Sequence, residues 1–246
     1  MPDYDAATYG DRMAEVYDGW FAVPSDTQDT VGFLGDLAGT GPVLELGIGT
    51  GRVALPLVQR GFEVHGIDAS EAMVEKLRGK NGGGSVPVSI GDFAELDIEG
   101  EFSLVYVVFN TFFALPSQED QVRCFSNVAR RLREGGVFVI EAFVPDMTRW
   151  DQDQRVETLH LGDDSVVLAA ARHDPLEQRV ASNHLVVSEA GIEMYPVRLR
   201  YAWPSELDLM ARLAGLRLRE RWGGWLREPF AASSARHVSV YEQGGE

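Results

Sequence analysis

The chain has 246 residues, of which 45% are hydrophobic, and its formal net charge is −16. This length fits one large domain or a domain that carries an inserted subdomain, and the apolar content is sufficient for a full core. The negative charge argues against a nucleic-acid partner, because phosphate backbones are bound by clustered lysine and arginine side chains.

Cysteine content and the distribution of apolar residues bear on location. Cys124 is the only cysteine, so the chain cannot form an intrachain disulfide, and a reducing compartment is expected. No cluster of cysteine and histidine has the spacing of metal ligands, so we predict no metal site. The N-terminus lacks a basic region followed by an apolar stretch, and no apolar run approaches the ~20 residues of a membrane span. These features predict a cytoplasmic protein with no membrane partner.

Residues 1–40 are rich in aromatic and acidic side chains. The pattern favours one helix over residues 11–17 and a second over residues 26–37, the second with apolar residues on one face. We therefore expect a helical segment in front of the first strand.

Strands and helices alternate between residues 41 and 146. Apolar runs predict five strands, at residues 43–46, 63–68, 86–90, 102–109 and 137–143. Helices are predicted between them, at residues 52–60, 70–78 and 118–133, the last ended by Gly135 and Gly136. With two more strands at residues 216–222 and 237–242, this alternation favours an α/β fold: a doubly wound, Rossmann-like sheet of seven mostly parallel strands.

The pattern changes after Pro145. Strand-like alternation at residues 166–172, 179–189 and 192–201, separated by turn residues, predicts a small antiparallel sheet inserted into the α/β domain. A helix is predicted over residues 206–213, with Ser205 as its N-cap. The expected organisation has four parts: the N-terminal segment (1–40), the core (41–146), the inserted sheet (147–204), and the C-terminal helix with the last two strands (205–246).

The most informative stretch is the turn that follows the first predicted strand. Glu45 lies near the end of this strand, and glycine then occupies every second position, at Gly47, Gly49 and Gly51. Glycine lets a ligand lie against bare backbone, because it has no Cβ and adopts positive φ. The helix that follows offers unpaired N–H groups and the positive end of its dipole. In an open α/β sheet, ligands bind at this edge, where the strands end.

The glycine spacing discriminates between two classes of cofactor. A dinucleotide-binding turn has the pattern G-x-G-x-x-G, followed by an acidic residue about 20 positions later. Here the third glycine position of that pattern is Arg52, which would crowd the close packing of helix and strand. The carboxylate of Glu45 would also make no favourable contact with a pyrophosphate. The pattern therefore disfavours a dinucleotide, and an NAD-dependent dehydrogenase stays only as an alternative.

The pattern E-x-G-x-G-x-G at residues 45–51 resembles motif I of the class I S-adenosylmethionine (SAM) methyltransferases. The resemblance extends over roughly residues 40–146. It implies SAM as the cofactor and methyl transfer as the reaction. It also places Glu45, Gly47 and Gly49 beneath the methionine part of SAM, where Glu45 would orient backbone amides or the SAM amine.

Two later strand ends supply further candidates. Asp68 ends the second predicted strand, and a carboxylate there can accept both hydroxyls of a ribose. The competing interpretation of Asp68 is an N-cap for the next helix. The resemblance implies that Ala69 and Met73 flank the adenine. It also implies that Asp92 accepts the exocyclic amine and that Phe93 adds an apolar face.

The resemblance also assigns roles to Phe109, Tyr9 and Tyr17. Phe109 ends the fourth strand, where the family uses backbone groups to hold the methionyl amine. Tyr9 and Tyr17 lie in a segment that closes over the cofactor in similar enzymes. Residues 1–40 would then form a helical lid, and a tyrosine hydroxyl would bind the methionyl carboxylate. Packing explains each of these three side chains equally well.

Methyl transfer needs a base only when the attacking atom arrives protonated. Glu141, near the carboxyl end of the fifth strand, is the candidate catalytic base, although a structural role explains it as well. His173, His184 and His237 are weaker candidates. The inserted sheet is expected over the substrate site, and strand alternation puts about half of its polar residues on the wrong face. The candidate wall residues are Arg172, His184, Tyr195, Arg198 and Trp203.

The layout loosely resembles the sugar N,N-dimethyltransferases of antibiotic biosynthesis. The histidine that those enzymes can carry after the fourth strand has no counterpart in residues 110–115. This apolar loop indicates a small metabolite with a hydrophobic or aromatic body, methylated on N or O. Two alternatives stay open: a SAM-binding enzyme of the same fold that catalyses a non-methylating reaction such as cyclisation, and a non-enzymatic SAM-binding module. The sequence leaves the oligomeric state open, a homodimer included.

Overall fold

A computed structural model describes residues 4–21 and 24–245 of the chain. The helices are α1 (Thr8–Met13), α2 (Tyr17–Phe21), α3 (Pro24–Ala38), α4 (Ala54–Gln59), α5 (Glu71–Arg78), α6 (Gln118–Arg131) and α7 (Pro204–Leu213). The strands are β1 (Val43–Leu46), β2 (Val64–Asp68), β3 (Val88–Ile90), β4 (Phe102–Val107), β5 (Leu132–Phe143), β6 (Gln154–Leu161), β7 (Ser165–Asp174), β8 (Arg179–Ser188), β9 (Gly191–Arg200), β10 (Leu216–Trp222) and β11 (Arg236–Gln243).

Seven strands form the central sheet, in the order β10-β11-β5-β4-β1-β2-β3. The strands from β3 to β5 pair in parallel, whereas β11 pairs antiparallel with both β5 and β10. The strand order reverses between β1 and β4, which is the switch point of a doubly wound fold. This arrangement confirms the predicted α/β fold with seven mostly parallel strands.

Helices cover both faces of this sheet. α6 and α7 belong to one apolar cluster, through residues such as Phe125 and Leu207, and α3 and α4 belong to the other, through residues such as Leu34 and Leu57. All six residues of β4 are buried between these layers, as a near-continuous apolar run predicts. Within the described residues, no helix has both the length and the apolar character that crossing a bilayer requires.

A separate antiparallel sheet follows β5, with strands in the order β6-β7-β8-β9. The sequence predicted this sheet but missed its first strand, β6. Most residues of β6 are exposed, and Val156 is 70% exposed. A polar edge strand lacks the apolar alternation that strand prediction depends on, so only its pairing with β7 reveals it.

Gly135 and Gly136 lie inside β5 and do not cap α6, contrary to the prediction. α6 ends at Arg131, and β5 begins with the next residue because Leu132 already pairs with β4. The register then shifts before Val137, so the two glycines bulge out of the strand, Gly135 with a φ of 73°.

The N-cap of α7 is Trp203, so the prediction of Ser205 was wrong. Pro204 occupies the first helical position, where its fixed φ fits the helix and its missing N–H would have had no helical partner. Asp208, one turn later, forms an ion pair with Arg221 of β10.

The N-terminal segment bridges the two sheets. Two short helices, α1 and α2, replace the first predicted helix. α1 packs tightly on α5: a Cβ on Gly10 would lie 2.4 Å from the Cβ of Ser70, whose hydroxyl donates to Asp11 Oδ1 at 2.6 Å. α2 packs on the antiparallel sheet, with the Trp20 and Tyr195 ring centroids 5.1 Å apart.

Candidate functional site

A cavity of about 190 Å³ lies where β1, β2 and β4 end, next to α1. This edge is where doubly wound folds bind their ligands. The predicted cofactor residues that line the cavity are Tyr9, Tyr17, Gly47, Gly49, Asp68, Ala69, Met73, Asp92 and Phe93. The other two predicted cofactor residues, Glu45 and Phe109, are not part of the cavity wall.

The turn after β1 is built on positive φ angles, of 68° at Gly47, 54° at Gly49 and 79° at Gly51. A Cβ on Gly47 would lie 2.5 Å from Thr111 Cγ2, and a Cβ on Gly51 would lie 2.3 Å from Leu77 Cδ1. Both contacts are far shorter than van der Waals separation, so these positions require glycine. The turn therefore presents bare backbone to the cavity.

Asp68 ends β2 and directs its carboxylate at this turn. Its Oδ2 accepts the N–H of Gly49 at 2.7 Å, and its Oδ1 accepts the N–H of Ser70 at 2.9 Å. A carboxylate has about four acceptor sites. The backbone of Ala69 is a third hydrogen-bond partner of Asp68, which leaves room to accept a ribose hydroxyl. Burial raises the pKa of Asp68, and the amides of Ser70, Gly49 and Ala69 oppose this shift. Ser70 is itself the N-cap of α5, through the N–H of Met73, so Asp68 is not needed as a cap.

Asp92 and Phe93 follow β3 and form another part of the cavity wall. Asp92 Oδ1 accepts the N–H of Ala94 at 2.8 Å, which fixes the acidic side chain in its loop. Phe93 and Met73 are both buried and line the same cavity. A carboxylate beside two apolar side chains suits a flat heterocycle that carries an amine.

Glu45 lies beneath the turn and is buried in the core. Its Oε2 accepts the hydroxyl of Tyr106 at 2.7 Å, and the backbone of Ala54 also hydrogen-bonds to the carboxylate. Burial is the largest effect that raises the pKa of Glu45 to about 8, and the negative charge of Asp68 adds to it. Tyr106 and Arg52 oppose the shift. Glu45 therefore supports the first turn of α4 from behind the cavity wall.

Tyr9 and Tyr17 bring α1 and α2 to the cavity. Burial raises the pKa of both hydroxyls, and Tyr17 also hydrogen-bonds with Arg52. Arg52 donates to Thr27 Oγ1 at 3.1 Å, and its Cζ lies 5.1 Å from the centroid of the Phe109 ring. Arg52 thus connects the glycine turn to the N-terminal segment and to the end of β4.

Glu141, the predicted base, has both carboxylate oxygens engaged. Oε2 accepts the N–H of Phe109 at 2.8 Å, and Oε1 pairs with Arg236 Nη1 at 3.3 Å. Burial raises the pKa of Glu141, while the Phe109 amide and Arg236 oppose the shift. These contacts hold the backbone after β4, and Glu141 is not part of the cavity wall.

His173, His184 and His237, the weaker candidate bases predicted from the sequence, have different surroundings. His173 Nε2 is 2.9 Å from Tyr201 Oη, and His237 Nδ1 is 2.8 Å from Ser239 Oγ. Burial lowers the pKa of His237 to about 3 and also lowers the pKa of His184. Of the three, only His184 lines a cavity, the larger one described next.

A second cavity, of about 980 Å³, lies against one face of the antiparallel sheet. Of the predicted wall residues, His184 and Trp203 line this cavity, and Tyr195 pairs with His184 and shares its face. Arg172 and Arg198 are an odd number of residues from that row on their strands, so they lie on the opposite face.

Aromatic side chains form one wall of the larger cavity. The Trp150 ring stacks on His173 with a centroid separation of 4.8 Å, and the Trp203 ring meets Tyr201 edge-on at 6.5 Å. The hydrogen bond between His173 and Tyr201 joins the two pairs. Trp150, Tyr201 and Trp203 all line the cavity, so this wall is apolar and held in place by packing.

The loop after β4 connects the walls of the two cavities. Thr111 and Leu115 of this loop line the smaller cavity, and Phe143 at the end of β5 lines the larger one. The N–H of Phe143 donates to Asn110 Oδ1 at 2.7 Å. One hydrogen bond therefore fixes the two walls to each other.

Part of the smaller cavity's wall was not predicted from the sequence. The signal for the loop residues was available, because they follow a strand that ends at the same edge as β1 and β2. The residues around α1 carry no such signal, because no strand positions them. The missed residues are Tyr4, Asp5, Ala6, Gly10, Thr111, Ala114, Leu115 and Pro116.

Comparison with known proteins gives consistent results along the chain. A family profile described as a methyltransferase domain matches residues 43–136, which run from β1 into β5. The solved structure of the CcbJ methyltransferase from Streptomyces caelestis is 45% identical to this chain. The match covers 98% of this chain and 100% of that one, with a TM-score of 0.93.

Two further proteins extend the comparison. The cypemycin N-terminal methyltransferase from a Streptomyces species is 29% identical over 245 residues, which cover 97% of this chain and 99% of that protein. The SAM-bound structure of CalS10, an amino pentose methyltransferase of calicheamicin biosynthesis from Micromonospora echinaspora, is 22% identical. It covers 92% of this chain and 94% of that one with a TM-score of 0.68, and so shares the fold.

Proposed function

Because the chain belongs to the class I SAM-dependent methyltransferases, we propose that it transfers the methyl group of SAM to a nitrogen or oxygen atom of a small metabolite with an apolar or aromatic body. Membership follows from 45% identity over the full length of CcbJ and from the methyltransferase profile at residues 43–136. SAM is therefore the cofactor and methyl transfer the reaction, and the dinucleotide alternative is set aside.

The smaller cavity is the proposed SAM site. Its wall fits SAM because it combines bare backbone at the glycine turn, a carboxylate at the end of β2 and an acceptor beside apolar side chains. The methionine part would lie on Gly47 and Gly49, and the ribose on Asp68. The adenine would lie against Ala69, Met73, Asp92 and Phe93.

The remaining predicted residues have supporting roles in this proposal. Tyr9 and Tyr17 stay protonated because burial raises the pKa of both, so each can donate a hydrogen bond to the methionyl carboxylate. Glu45 orients the backbone at the start of α4, and Phe109 offers its backbone to the methionyl amine. Residues 1–40 would act as the lid and residues 147–204 as the cover of the acceptor. The core would comprise residues 41–146 and 205–246.

Bound SAM supplies a methyl group on a positively charged sulfur, open to in-line attack. The chain contributes position and a site from which water is excluded. Because both oxygens of Glu141 are engaged, we set its role as a base aside. The acceptor would then arrive with its lone pair available, as a neutral amine does.

The observation that carries the acceptor assignment is the cavity of about 980 Å³, whose wall residue Phe143 is hydrogen-bonded to the loop after β4 that lines the SAM site. Pockets for small molecules span about 300–1,000 Å³, so this cavity has room for a multi-ring metabolite. The wall of Trp150, Tyr201 and Trp203 suits an apolar or aromatic body. The name of the cypemycin N-terminal methyltransferase favours nitrogen over oxygen as the attacking atom.

A mass-spectrometric screen tests this proposal. The purified chain is incubated with SAM and with matched pairs of amines and alcohols, with and without an attached ring system. We expect ring-bearing amines to gain one methyl group, with an equal amount of S-adenosylhomocysteine. Methylation confined to carbon or sulfur, or to acceptors without a ring, would contradict the proposal. A product formed without any gain of a methyl group would favour the cyclisation alternative.

A further inference from the structure

Two consecutive residues after β4 have an unusual backbone conformation. Phe109 and Asn110 have φ angles of 58° and 65°, and neither is glycine. A side chain in this left-handed region crowds the backbone, so such residues persist only where the surrounding structure imposes the conformation. In this chain, the contacts that impose the left-handed conformation come from one residue of β5.

Glu141 of β5 supplies those contacts. Its Oε2 accepts the N–H of Phe109 at 2.8 Å, and its backbone carbonyl accepts the N–H of Asn110 at 3.3 Å. The Glu141 side chain is only 8% exposed, so water does not replace it as the acceptor. One residue therefore binds both amides of the left-handed pair.

Arg236 of β11 holds the carboxylate of Glu141 in place. Its Nη1 lies 3.3 Å from Glu141 Oε1 and 3.2 Å from Asp26 Oδ1. Asp26 belongs to α3, so a chain of charges runs from α3 through β11 to β5 and ends on the backbone of the loop. A partner on each side, the Phe109 amide and Arg236, fixes the direction of the buried carboxylate.

The loop that Glu141 binds forms one wall of the proposed SAM site. Thr111 and Leu115 line that cavity, and the methyl group of Thr111 fills the space that a Cβ on Gly47 would need. We propose that Glu141 is a positioning residue: it fixes the loop after β4 in its left-handed conformation and so holds this wall against the glycine turn. The inference rests on the proposed SAM site.

Calorimetric titration with SAM tests the role of Glu141. Glu141→Leu removes the acceptor for the Phe109 amide and should weaken SAM binding by roughly tenfold or more. Glu141→Gln keeps an amide oxygen for that N–H and should stay within about threefold of wild type. Arg236→Met should fall between these two variants. The matched control is Glu242→Leu, a carboxylate of the same sheet that pairs with Arg217, and it should bind SAM as wild type does.

A second background separates positioning from a general loss of structure. Glycine adopts positive φ without strain. In a Phe109→Gly background, the loop therefore depends less on its hydrogen bonds with Glu141. In that background, Glu141→Leu should lower SAM affinity by less than about threefold. A double-mutant cycle measures this difference. If Glu141→Leu fails to fold, Arg236→Met in the two backgrounds gives the same comparison. Equal losses in both backgrounds, or wild-type affinity in Glu141→Leu, would overturn the inference. Absence of SAM binding by wild type would instead overturn the proposed site.

Discussion

Helices cover both faces of the central sheet, whereas most residues of the antiparallel sheet are half-buried or exposed. Every residue of β4 is buried between helices, whereas most residues of β6 are exposed and Leu161 is 76% exposed. The central sheet therefore holds its strand ends rigidly at one edge, where the glycine turn and Asp68 meet. The antiparallel sheet covers a cavity about five times as large (980 against 190 Å³).

This difference separates two requirements of methyl transfer. The cofactor is the same for every member of the family, and its proposed site is built from positions that admit no side chain, such as Gly47 and Gly51. The acceptor differs between members, and its proposed cavity is lined by side chains of the antiparallel sheet and of the segments beside it. Substitutions in the two regions should therefore have separable effects, on SAM affinity in one case and on turnover in the other.

The largest effect is expected at the glycine turn. In Gly47→Ala, the new Cβ would lie 2.5 Å from Thr111 Cγ2, at a φ of 68°. Strain of about 1–2 kcal/mol from the left-handed backbone adds to this clash. We expect SAM affinity, measured by calorimetry, to fall by about a hundredfold.

Gly39→Ala is the matched control, because Gly39 has a φ of 60° and a Cβ there would meet no atom within 4 Å. It carries the backbone strain without the clash and lies away from the cavity. It should lower stability by about 1 kcal/mol and leave SAM affinity unchanged. Equal losses of SAM affinity in the two variants would show that the close contact with the loop after β4 is not what matters.

The buried carboxyl group of Glu45 should make the stability of the protein depend on pH. Burial raises the pKa of Glu45 to about 8, from about 4.3 in an unfolded chain. Between these values the folded state binds more protons than the unfolded state, so stability decreases as pH rises. Between about pH 6 and pH 8, the free energy of unfolding of wild type should fall by about 2 kcal/mol more than that of Glu45→Gln. Urea unfolding measures both values.

The comparison with Glu45→Gln isolates this carboxyl group. Burial also raises the pKa of Asp68 and Glu141, but both groups are present in the two proteins, so the difference between the two pH profiles reports on Glu45. Parallel pH profiles for wild type and Glu45→Gln would show that Glu45 ionises without cost in the folded state, and would contradict its place in the buried core.

The sequence was sufficient for the parts of the site that local pattern determines. Gly47, Asp68 and Asp92 were placed together because parallel strands that alternate with helices end at the same edge. Tyr4 was not predictable in this way. Its hydroxyl accepts the N–H of Arg198 at 3.3 Å, a contact between residues 194 positions apart that no local pattern encodes. Glu141 was predicted as a base, but its two partners are distant in sequence, with Phe109 in the loop after β4 and Arg236 in β11.

A smaller effect is expected in the antiparallel sheet, where neighbouring alanines face opposite sides. Ala171 lines the larger cavity, and Ala170 lies on the other face. Ala171→Phe fills acceptor space and should reduce turnover of a ring-bearing acceptor by about tenfold, with SAM affinity unchanged. Ala170→Phe should change neither quantity. Reduced SAM affinity in Ala171→Phe, or equal turnover in the two variants, would break the division between the two regions.

In the proposed site, SAM lies on the glycine turn with its ribose on Asp68. Titration of SAM into wild type and Asp68→Ala measures what this carboxylate contributes to binding, and Asp97→Ala is the control because Asp97 is an exposed carboxylate outside the smaller cavity. Asp68→Ala should lose roughly 1–3 kcal/mol of binding free energy, or roughly 5- to 150-fold in affinity, while Asp97→Ala binds as wild type does. Wild-type affinity in Asp68→Ala would contradict the account.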